Sequence, residues 1–225
     1  MMVKVKICGN QTRSDLRVTT RADAVGFIVA TPESSRNIEP NRAVRLVKGT
    51  PPFTSTVMVT TEVKPKVLRE LILKVEPDYL QLHSTLSLSR TEEIARSIPN
   101  TTGLISLVTV AGKPDDLKNR ALELANLPVA ALLLDSKSEG RAGGTGRVHD
   151  WNISRTIKDT VHPTPVILAG GLNPENVGKA VKKVRPYAVD VATGVEKNEV
   201  KSEQKVERFL EEVKNSEIKS VSQSR

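Results

Sequence analysis

The sequence predicts an α/β protein, a single-domain (β/α)8 barrel of the TIM-barrel type. Two observations predict it: short β-branched runs alternate with amphipathic stretches, and eight such pairs fit within the 225 residues. Strands that alternate with helices form a parallel sheet with right-handed crossovers, and eight such units close into a barrel. An open doubly wound sheet is the structural alternative, although six strands are more usual in that fold.

The strands are predicted where β-branched and other apolar residues form runs of four to six residues, bounded by polar or glycine-containing turns. Side chains along such a strand alternate between the surrounding helices and the barrel interior, so each strand should present one apolar face outward. In chain order the predicted strands are residues 3–7, 24–29, 54–59, 79–82, 102–107, 130–134, 165–169 and 188–191.

The helices are predicted where apolar residues recur at three- and four-residue spacing. Two of them are expected to begin at a proline, Pro40 and Pro174, because the first turn of a helix does not need the N–H that proline lacks. In chain order the predicted helices are residues 13–21, 40–47, 64–75, 89–97, 115–125, 151–160, 174–184 and 201–214.

One catalytic domain is expected to span residues 1–214, followed by a polar, flexible tail at residues 215–225. No serine- or glycine-rich linker and no break in composition suggests a second domain. The longest clear apolar run, residues 129–134, is far below the roughly 18 residues needed to span a membrane. The N-terminal segment lacks the apolar core of a signal peptide, so a cytoplasmic location is expected.

The net charge of +8 suggests an anionic partner, either nucleic acid or a small phosphorylated substrate. Aromatic residues make up only 3%, which disfavours a surface that stacks single-stranded bases. The basic residues are scattered at helical spacing, as on solvated helix faces. We therefore expect a small phosphorylated molecule as the partner, with no nucleic acid and no membrane.

The single cysteine excludes a disulfide within the chain and a cysteine-based zinc site. The three histidines, of which His149 and His162 fall in loop or helix-end contexts, do not form a recognisable metal spacing. No metal is therefore expected.

Polar residues occur where the alternation along four predicted strands points into the barrel. They lie at or near the carboxyl ends of those strands, where barrel enzymes place their catalytic groups. Taken singly, such a cysteine can be a small core residue, a histidine a structural residue and an aspartate a helix cap. The convergent set is Lys6, Cys8, Gln81, His83, Asp135 and Asp190.

Three glycine-containing loops follow predicted strands, at residues 140–147, 168–173 and 192–196. The first lacks the Gly-Lys-Ser/Thr ending of a nucleoside-triphosphate loop, so it is either a flexible loop or one that folds over a ligand. The other two follow the seventh and eighth strands, which is the usual phosphate site of this barrel class. Together they favour binding of a phosphate group.

These segments together resemble the phosphoribosylanthranilate isomerase family, an enzyme family of tryptophan biosynthesis, from about residue 3 to residue 212. The motif KICG at residues 6–9, together with VDV at 189–191 and GVE at 194–196, is specific to the family, whereas isolated glycines are not. The matching motifs are residues 5–9 (VKICG), 23–27 (DAVGF), 35–36 (SR), 80–83 (LQLH), 134–135 (LD), 143–146 (GGTG) with 150–151 (DW), 169–176 (AGGLNPEN), 189–191 (VDV) and 194–196 (GVE).

The resemblance implies an isomerase without a cofactor that converts N-(5-phosphoribosyl)anthranilate to 1-(2-carboxyphenylamino)-1-deoxyribulose 5-phosphate, an Amadori rearrangement. It implies Cys8 as general base and Asp135 as general acid. It places Arg36 at the anthranilate carboxylate and Asp190 near the ribose hydroxyls, with Gln81 and His83 in the same substrate-binding set. The phosphate-binding positions that it implies are Gly144, Gly170, Gly171, Thr193 and Gly194.

Three departures from the family pattern are visible: Ser84 replaces a usual glycine, Ser35 a usual proline, and Ala192–Thr193 a usual pair of serines. The enzyme alternatives are another phosphate-binding barrel, either indole-glycerol-phosphate synthase or a metal-dependent pentose-phosphate epimerase. A basic RNA-binding module is the alternative from a different class. A monomer and a homodimer are both open.

Overall fold

The computed structural model describes residues 2–136 and 149–221, with side chains described as far as Ser216. Eight parallel strands form a closed barrel in which each strand pairs with the next along the chain, so the predicted TIM-barrel fold is confirmed. Strand β1 pairs with both β2 and β8, through Lys6 opposite Ala24 and Lys6 opposite Asp190. The strands are β1 Lys4–Ile7, β2 Ala24–Val29, β3 Ser55–Thr60, β4 Tyr79–Leu82, β5 Gly103–Val110, β6 Ala131–Ser136, β7 Val166–Leu168 and β8 Ala188–Val191.

Eight helices of the described ranges surround this barrel. Helix α1 begins with a capping box in which Thr12 and Asp15 satisfy each other's backbone N–H groups. Three helices begin at a proline, as the missing N–H permits. The helices are α1 Arg13–Thr19, α2 Pro40–Val47, α3 Pro65–Val75, α4 Leu88–Ser97, α5 Pro114–Ala125, α6 Trp151–Thr160, α7 Val177–Val184 and α8 Glu203–Val221.

Three short elements lie outside this pattern, and all of them are near the carboxyl ends of the strands. The segment Asn37–Ile38 pairs with β2, and a 3-10 turn, Thr193–Val195, follows β8. A small antiparallel hairpin comes next, in which Glu196 lies opposite Lys201. This hairpin is important for the site described below.

Helix α7 begins three residues later than predicted, at Val177 rather than Pro174. The reason is the side chain of Asn173, whose Oδ1 accepts the N–H groups of Glu175 and Asn176 and holds these residues in a turn. The glycine loop after β7 is therefore longer than the sequence suggested.

Helix α8 also differs from the prediction at both ends. It begins at Glu203, because Lys201 belongs to the hairpin, and it runs to Val221 instead of ending at Lys214. Ser216 is only 4% exposed and donates its hydroxyl to the carbonyl of Val213. Residues 215–221 of the expected flexible tail are thus helical, and residues 222–225 lie outside the described residues.

The predicted alternation along the strands is seen in the packing. Val5 and Ile7 belong to the layer between strands and helices, and Lys6 between them is buried in the barrel interior. Leu132 and Leu134 face the helices in the same way, whereas Leu133 belongs to the interior cluster. Apart from Lys6, mostly apolar side chains fill the interior, and several polar side chains lie at its carboxyl end. The described residues contain no helix that is both long and apolar enough to cross a membrane.

Helix α3 provides a matched test of this packing. Leu68 is fully buried between the helices and the barrel, whereas Leu73 on the same helix is 58% exposed. We expect Leu68→Ala to lower the free energy of unfolding by about 2–5 kcal/mol, because it leaves a cavity. Leu73→Ala should change it by no more than about 0.5 kcal/mol. Urea unfolding measures both, and equal losses would contradict the layer assignment.

Candidate active site

A cavity opens at the carboxyl ends of the strands, at the end of the barrel that the sequence predicts for the site. Most of the residues singled out from the sequence line it together, although they come from distant parts of the chain. They are Cys8, Arg36, Gln81, His83, Asp135, Gly170, Gly171, Asp190 and Thr193. Gly144 and the rest of residues 140–147 lie outside the described residues.

Lys6 lies in the barrel interior and forms a buried ion pair with Asp190. Its Nζ donates to Asp190 Oδ2 at 2.8 Å, and the two side chains are 3% and 8% exposed. The pair follows from the closed barrel, since the two residues are directly opposite on β1 and β8. Burial lowers the pKa of Lys6, but the charges of Asp190 and Cys8 and the hydrogen bonds to both together outweigh it, so the pKa lies above its ordinary value. Lys6 therefore remains a cation beside the site.

Cys8 follows β1 directly, and its thiol is buried at the top of the interior cluster. Burial raises the pKa of Cys8, and the positive charges of Lys6 and Lys201 oppose that rise without cancelling it. Gly26 on the neighbouring strand makes this arrangement possible: a Cβ there would lie 2.9 Å from the Cys8 Sγ and 3.1 Å from the Lys6 Nζ. The thiol and the ammonium group share the space that a side chain would occupy.

Asp135 lies near the end of β6 and faces the same cavity. Burial raises the pKa of Asp135, the charge of Asp190 raises it further, and His83 acts in the opposite direction. Gly170, at φ +86°, packs against this carboxyl group, because a Cβ there would lie 2.9 Å from its Oδ1. A carboxyl with a raised pKa keeps a proton that it can donate to a ligand.

Several buried polar atoms in this region have no hydrogen-bond partner among the described residues. These atoms are the Oε1 of Gln81, the Nδ1 of His83 and the Oδ1 of Asp190. Buried polar groups are normally paired, so unpaired ones that line a cavity indicate a place where a polar ligand binds. Among the described residues, no group of three or more His, Cys, Asp or Glu side chains is placed to hold a metal ion.

The guanidinium group of Arg36 is held by a carboxylate that the sequence analysis did not assign to the site. Its Nε donates to Glu196 Oε1 at 2.9 Å, and its Nη2 donates to Oε2 at 2.6 Å. The Nζ of Lys201 donates to the same carboxylate at 2.6 Å. These hydrogen bonds outweigh the burial of Glu196, so its pKa lies below the ordinary value and the side chain is ionised.

Sequence reasoning missed both partners of Arg36 for identifiable reasons. Glu196 was part of a recognised motif, but nothing in its spacing pairs it with a residue 160 positions earlier. Lys201 was predicted to start the last helix, where a lysine would be solvated, but its side chain is 1% exposed. Small hydroxyl residues that line the cavity were also missed, although their positions at strand ends were a signal; these are Thr31, Ser34, Thr61 and Ser136.

The two glycine loops after β7 and β8 are in contact with each other. Gly170 and Gly171 have φ values of +86° and +65°, a backbone conformation that glycine adopts at little cost. Gly194 does not line the cavity: it packs against the backbone carbonyl of Leu172, where a side chain would collide. Of the predicted phosphate positions, Gly170, Gly171 and Thr193 thus line the cavity, and Gly194 holds the two loops together.

Comparison with known proteins gives one consistent result. The family model described as N-(5'phosphoribosyl)anthranilate (PRA) isomerase matches residues 5–212. A curated N-(5'-phosphoribosyl)anthranilate isomerase of Methanosarcina acetivorans is 40% identical over 94% of this chain and 93% of its own length. The crystal structure of phosphoribosyl anthranilate isomerase from Thermotoga maritima has a TM-score of 0.81, with 34% identity over 95% of this chain and all of the other.

A further solved structure is informative because of what it contains. It is a phosphoribosyl anthranilate isomerase in complex with reduced 1-(O-carboxyphenylamino)-1-deoxyribulose 5-phosphate. It is 32% identical, has a TM-score of 0.77, and the match covers 95% of this chain and all of the other.

Proposed function

This chain belongs to the N-(5'-phosphoribosyl)anthranilate isomerase family, a family of isomerases in tryptophan biosynthesis, and from that premise we propose how its residues carry out the reaction. The substrate of the proposal is N-(5'-phosphoribosyl)anthranilate, and the product is the corresponding 1-deoxyribulose 5-phosphate. One observation carries the assignment of roles: a thiol, a carboxyl of raised pKa and a buried arginine all line one cavity. An Amadori rearrangement needs one acid and one base on the same substrate, together with sites for two anionic ends.

Asp135 is the general acid of the proposal. It donates its proton to the furanose ring oxygen, the C1–O bond breaks, and the nitrogen lone pair forms a protonated Schiff base at C1. The raised pKa of Asp135 supports this role, because the free carboxyl must still hold a proton when the substrate binds. Gly170 supports it as well, since its lack of a side chain leaves room for the carboxyl group.

Cys8 is the general base. As the thiolate it removes the proton from C2, the C2–H electrons form a C1–C2 double bond, and the cationic Schiff base becomes a neutral enolamine. Tautomerisation then gives the ketone at C2. Lys6 and Lys201 support the role of Cys8, because their charges favour the thiolate. In the proposed steps hydrogen moves only as protons, between the substrate, the side chains and the solvent. The reaction therefore needs no cofactor to accept a hydride or electrons.

Arg36 is assigned to the anthranilate carboxylate, and the loops after β7 and β8 to the phosphate. Gly170 and Gly171 line the cavity without side chains that would keep an anion from their backbone, and Thr193 is a lining residue with a hydroxyl group, which suits a phosphate. Gly144 is kept in the proposal by resemblance alone. Gln81, His83 and Asp190 are assigned to the polar middle of the substrate, since each has an unpaired buried atom.

The proposed roles predict a bell-shaped dependence of kcat/KM on pH. The active form has Asp135 protonated and Cys8 ionised at the same time, so kcat/KM should fall at low pH, where both groups are protonated, and at high pH, where both are ionised. Both pKa values are raised, so the profile should lie above the range of an ordinary carboxyl, about 4. The rate at which iodoacetamide alkylates the only cysteine, measured as a function of pH, reports the ionisation of the thiol directly. We expect the midpoint of that curve above about pH 8.5. A midpoint below about 8.5 would contradict it.

The direct test of the function is turnover of N-(5'-phosphoribosyl)anthranilate by the purified protein, followed as loss of substrate fluorescence. We expect turnover without added metal and in the presence of a chelator. Salt-sensitive RNA binding without turnover would favour the basic binding module, and metal-dependent turnover of a pentose phosphate would favour the epimerase. The proposal also includes a cytoplasmic location and a protein that is a monomer or a homodimer.

A further inference from the structure

The buried cluster of Arg36, Glu196 and Lys201 connects two loops that bind opposite ends of the proposed substrate. Arg36 precedes the short strand beside β2, and Glu196 and Lys201 form the hairpin that follows β8. The Nζ of Lys201 donates to Glu196 Oε1 at 2.6 Å and to the carbonyl of Ala192 at 3.2 Å. Ala192 comes immediately before Thr193, so one lysine fixes both the carboxylate that holds Arg36 and the loop assigned to the phosphate.

The charge of the cluster is not balanced. Two cations share a single carboxylate, and the three side chains of Arg36, Glu196 and Lys201 are 11%, 5% and 1% exposed. Among the described residues, Glu199 also acts on Arg36 through its charge, but it is exposed and accepts a hydrogen bond from the Ser35 hydroxyl at 3.2 Å, so water weakens its contribution. A buried, uncompensated positive charge is costly and is relieved when an anion binds nearby.

Glu196 also determines which edge of Arg36 remains available. The Nε and Nη2 atoms donate to its carboxylate, and among the described residues Nη1 donates to the Ser35 hydroxyl at 3.4 Å. A second carboxylate can therefore form a two-point contact only through the Nη1 and Nη2 edge. Gly9 contributes to this fixed position, because a Cβ there would lie 2.8 Å from the Arg36 Cδ and 3.6 Å from the Lys201 Nζ.

We propose that Glu196 and Lys201 are positioning residues that hold Arg36 and the loop after β8 in one arrangement, so that the carboxylate and the phosphate of the substrate bind to a single buried unit. This inference rests on the proposed function, from which it takes the identity of the two anionic groups. Neither residue touches the reacting atoms in this proposal. Their effect is on binding, and through binding on the orientation of the substrate.

Glu196→Gln distinguishes a positioning role from a purely electrostatic one, because the two predict changes of opposite sign in the affinity for anions. Removing a negative charge should strengthen anion binding if only charge matters. If Glu196 positions Arg36, affinity should fall about tenfold for both anthranilate and inorganic phosphate, as expected for a lost charge-assisted hydrogen bond. Equilibrium dialysis measures anthranilate, and phosphorus NMR measures phosphate. The KM should rise by a similar factor while kcat changes less.

The double variant Glu196→Gln with Lys201→Met is the charge-matched control, since it keeps the net charge of the cluster. It should still bind both probes weakly, and binding like that of the unmodified protein would overturn the proposal. In the single variant, Lys201 loses the carboxylate to which it donates, which can impair folding; thermal unfolding detects this. The double variant removes the lysine as well and so avoids the problem. Glu207→Gln, which breaks an exposed pair with Arg21, should leave both affinities unchanged.

The outcomes also separate this inference from the proposed function. If the unmodified protein binds phosphate but neither binds anthranilate nor turns over the substrate, the proposed function is wrong. If it turns over the substrate and Glu196→Gln binds both probes as tightly or more tightly, the function stands and the positioning role is wrong. Loss of affinity for both probes in the single and the double variant supports the inference.

Discussion

Replacing Asp135 by Asn is expected to lower kcat/KM by about 10³- to 10⁴-fold while the protein stays folded. The amide has the same shape as the carboxylic acid but cannot transfer the proton that opens the furanose ring. The loss should appear in kcat more than in KM, because the interaction that is removed forms only as the ring oxygen gains charge. Steady-state fluorescence assays on Asp135→Asn and on the unmodified protein measure the ratio.

The matched control for this variant is Asp159→Asn. Asp159 is an exposed aspartate on α6, where it forms ion pairs with Arg155 and Lys158. The same chemical change there should leave kcat/KM within about twofold and stability within about 0.5 kcal/mol. If Asp135→Asn kept more than a tenth of the activity, the general acid would have to be another group.

Loss of the thiol at Cys8 is expected to have a comparable effect. Cys8→Ala removes the proposed base, and Cys8→Ser replaces it by a hydroxyl whose pKa is far too high to form the alkoxide at neutral pH. Both variants should lose about 10³-fold or more in kcat/KM. Far-UV circular dichroism and urea unfolding should show that they fold, since both side chains are smaller than the one they replace.

A second measurement links this loss to the thiol itself. The chain has one cysteine, so iodoacetamide modifies Cys8 alone and should inactivate the protein in proportion to the alkyl groups incorporated. Anthranilate and inorganic phosphate together should protect against this modification, because the thiol lines the cavity assigned to them. A fully alkylated protein that still turned over the substrate would rule out Cys8 as the base.

The barrel itself could be predicted from the sequence because its cause is local. Alternation of side chains along each strand determines which residues face the helices, and Val5 and Ile7 take the outward positions with Lys6 between them inside. The same rule brings Cys8 and Asp190 to the carboxyl end of the barrel. Its errors were local too: the side chain of Asn173 delays α7 by accepting backbone N–H groups, which hydrophobic spacing does not reveal.

The residues that hold Arg36 in place could not be predicted in this way, because they depend on contacts between distant segments of the chain. The ion pair of Arg36 with Glu196 spans 160 positions, and neither residue lies on a barrel strand, where register would bring the two together. The resemblance assigned Arg36 to a substrate carboxylate, whereas its Nε and Nη2 edge is already bound to the carboxylate of Glu196. Which edge remains for a ligand becomes evident only from the hydrogen bonds of the folded chain.

The pairing of the first strand with the last has a consequence for how the protein is made on the ribosome. Lys6 lies 184 positions before Asp190, its ion-pair partner. During synthesis β1 emerges first, and β8, its neighbour on one side, is synthesised only after most of the chain. The cavity is therefore completed only when the last part of the chain has been made. A chain released before β8 would lack both Asp190 and the strand that closes the barrel beside β1, so Lys6 would lose its ion-pair partner and the cavity would be incomplete.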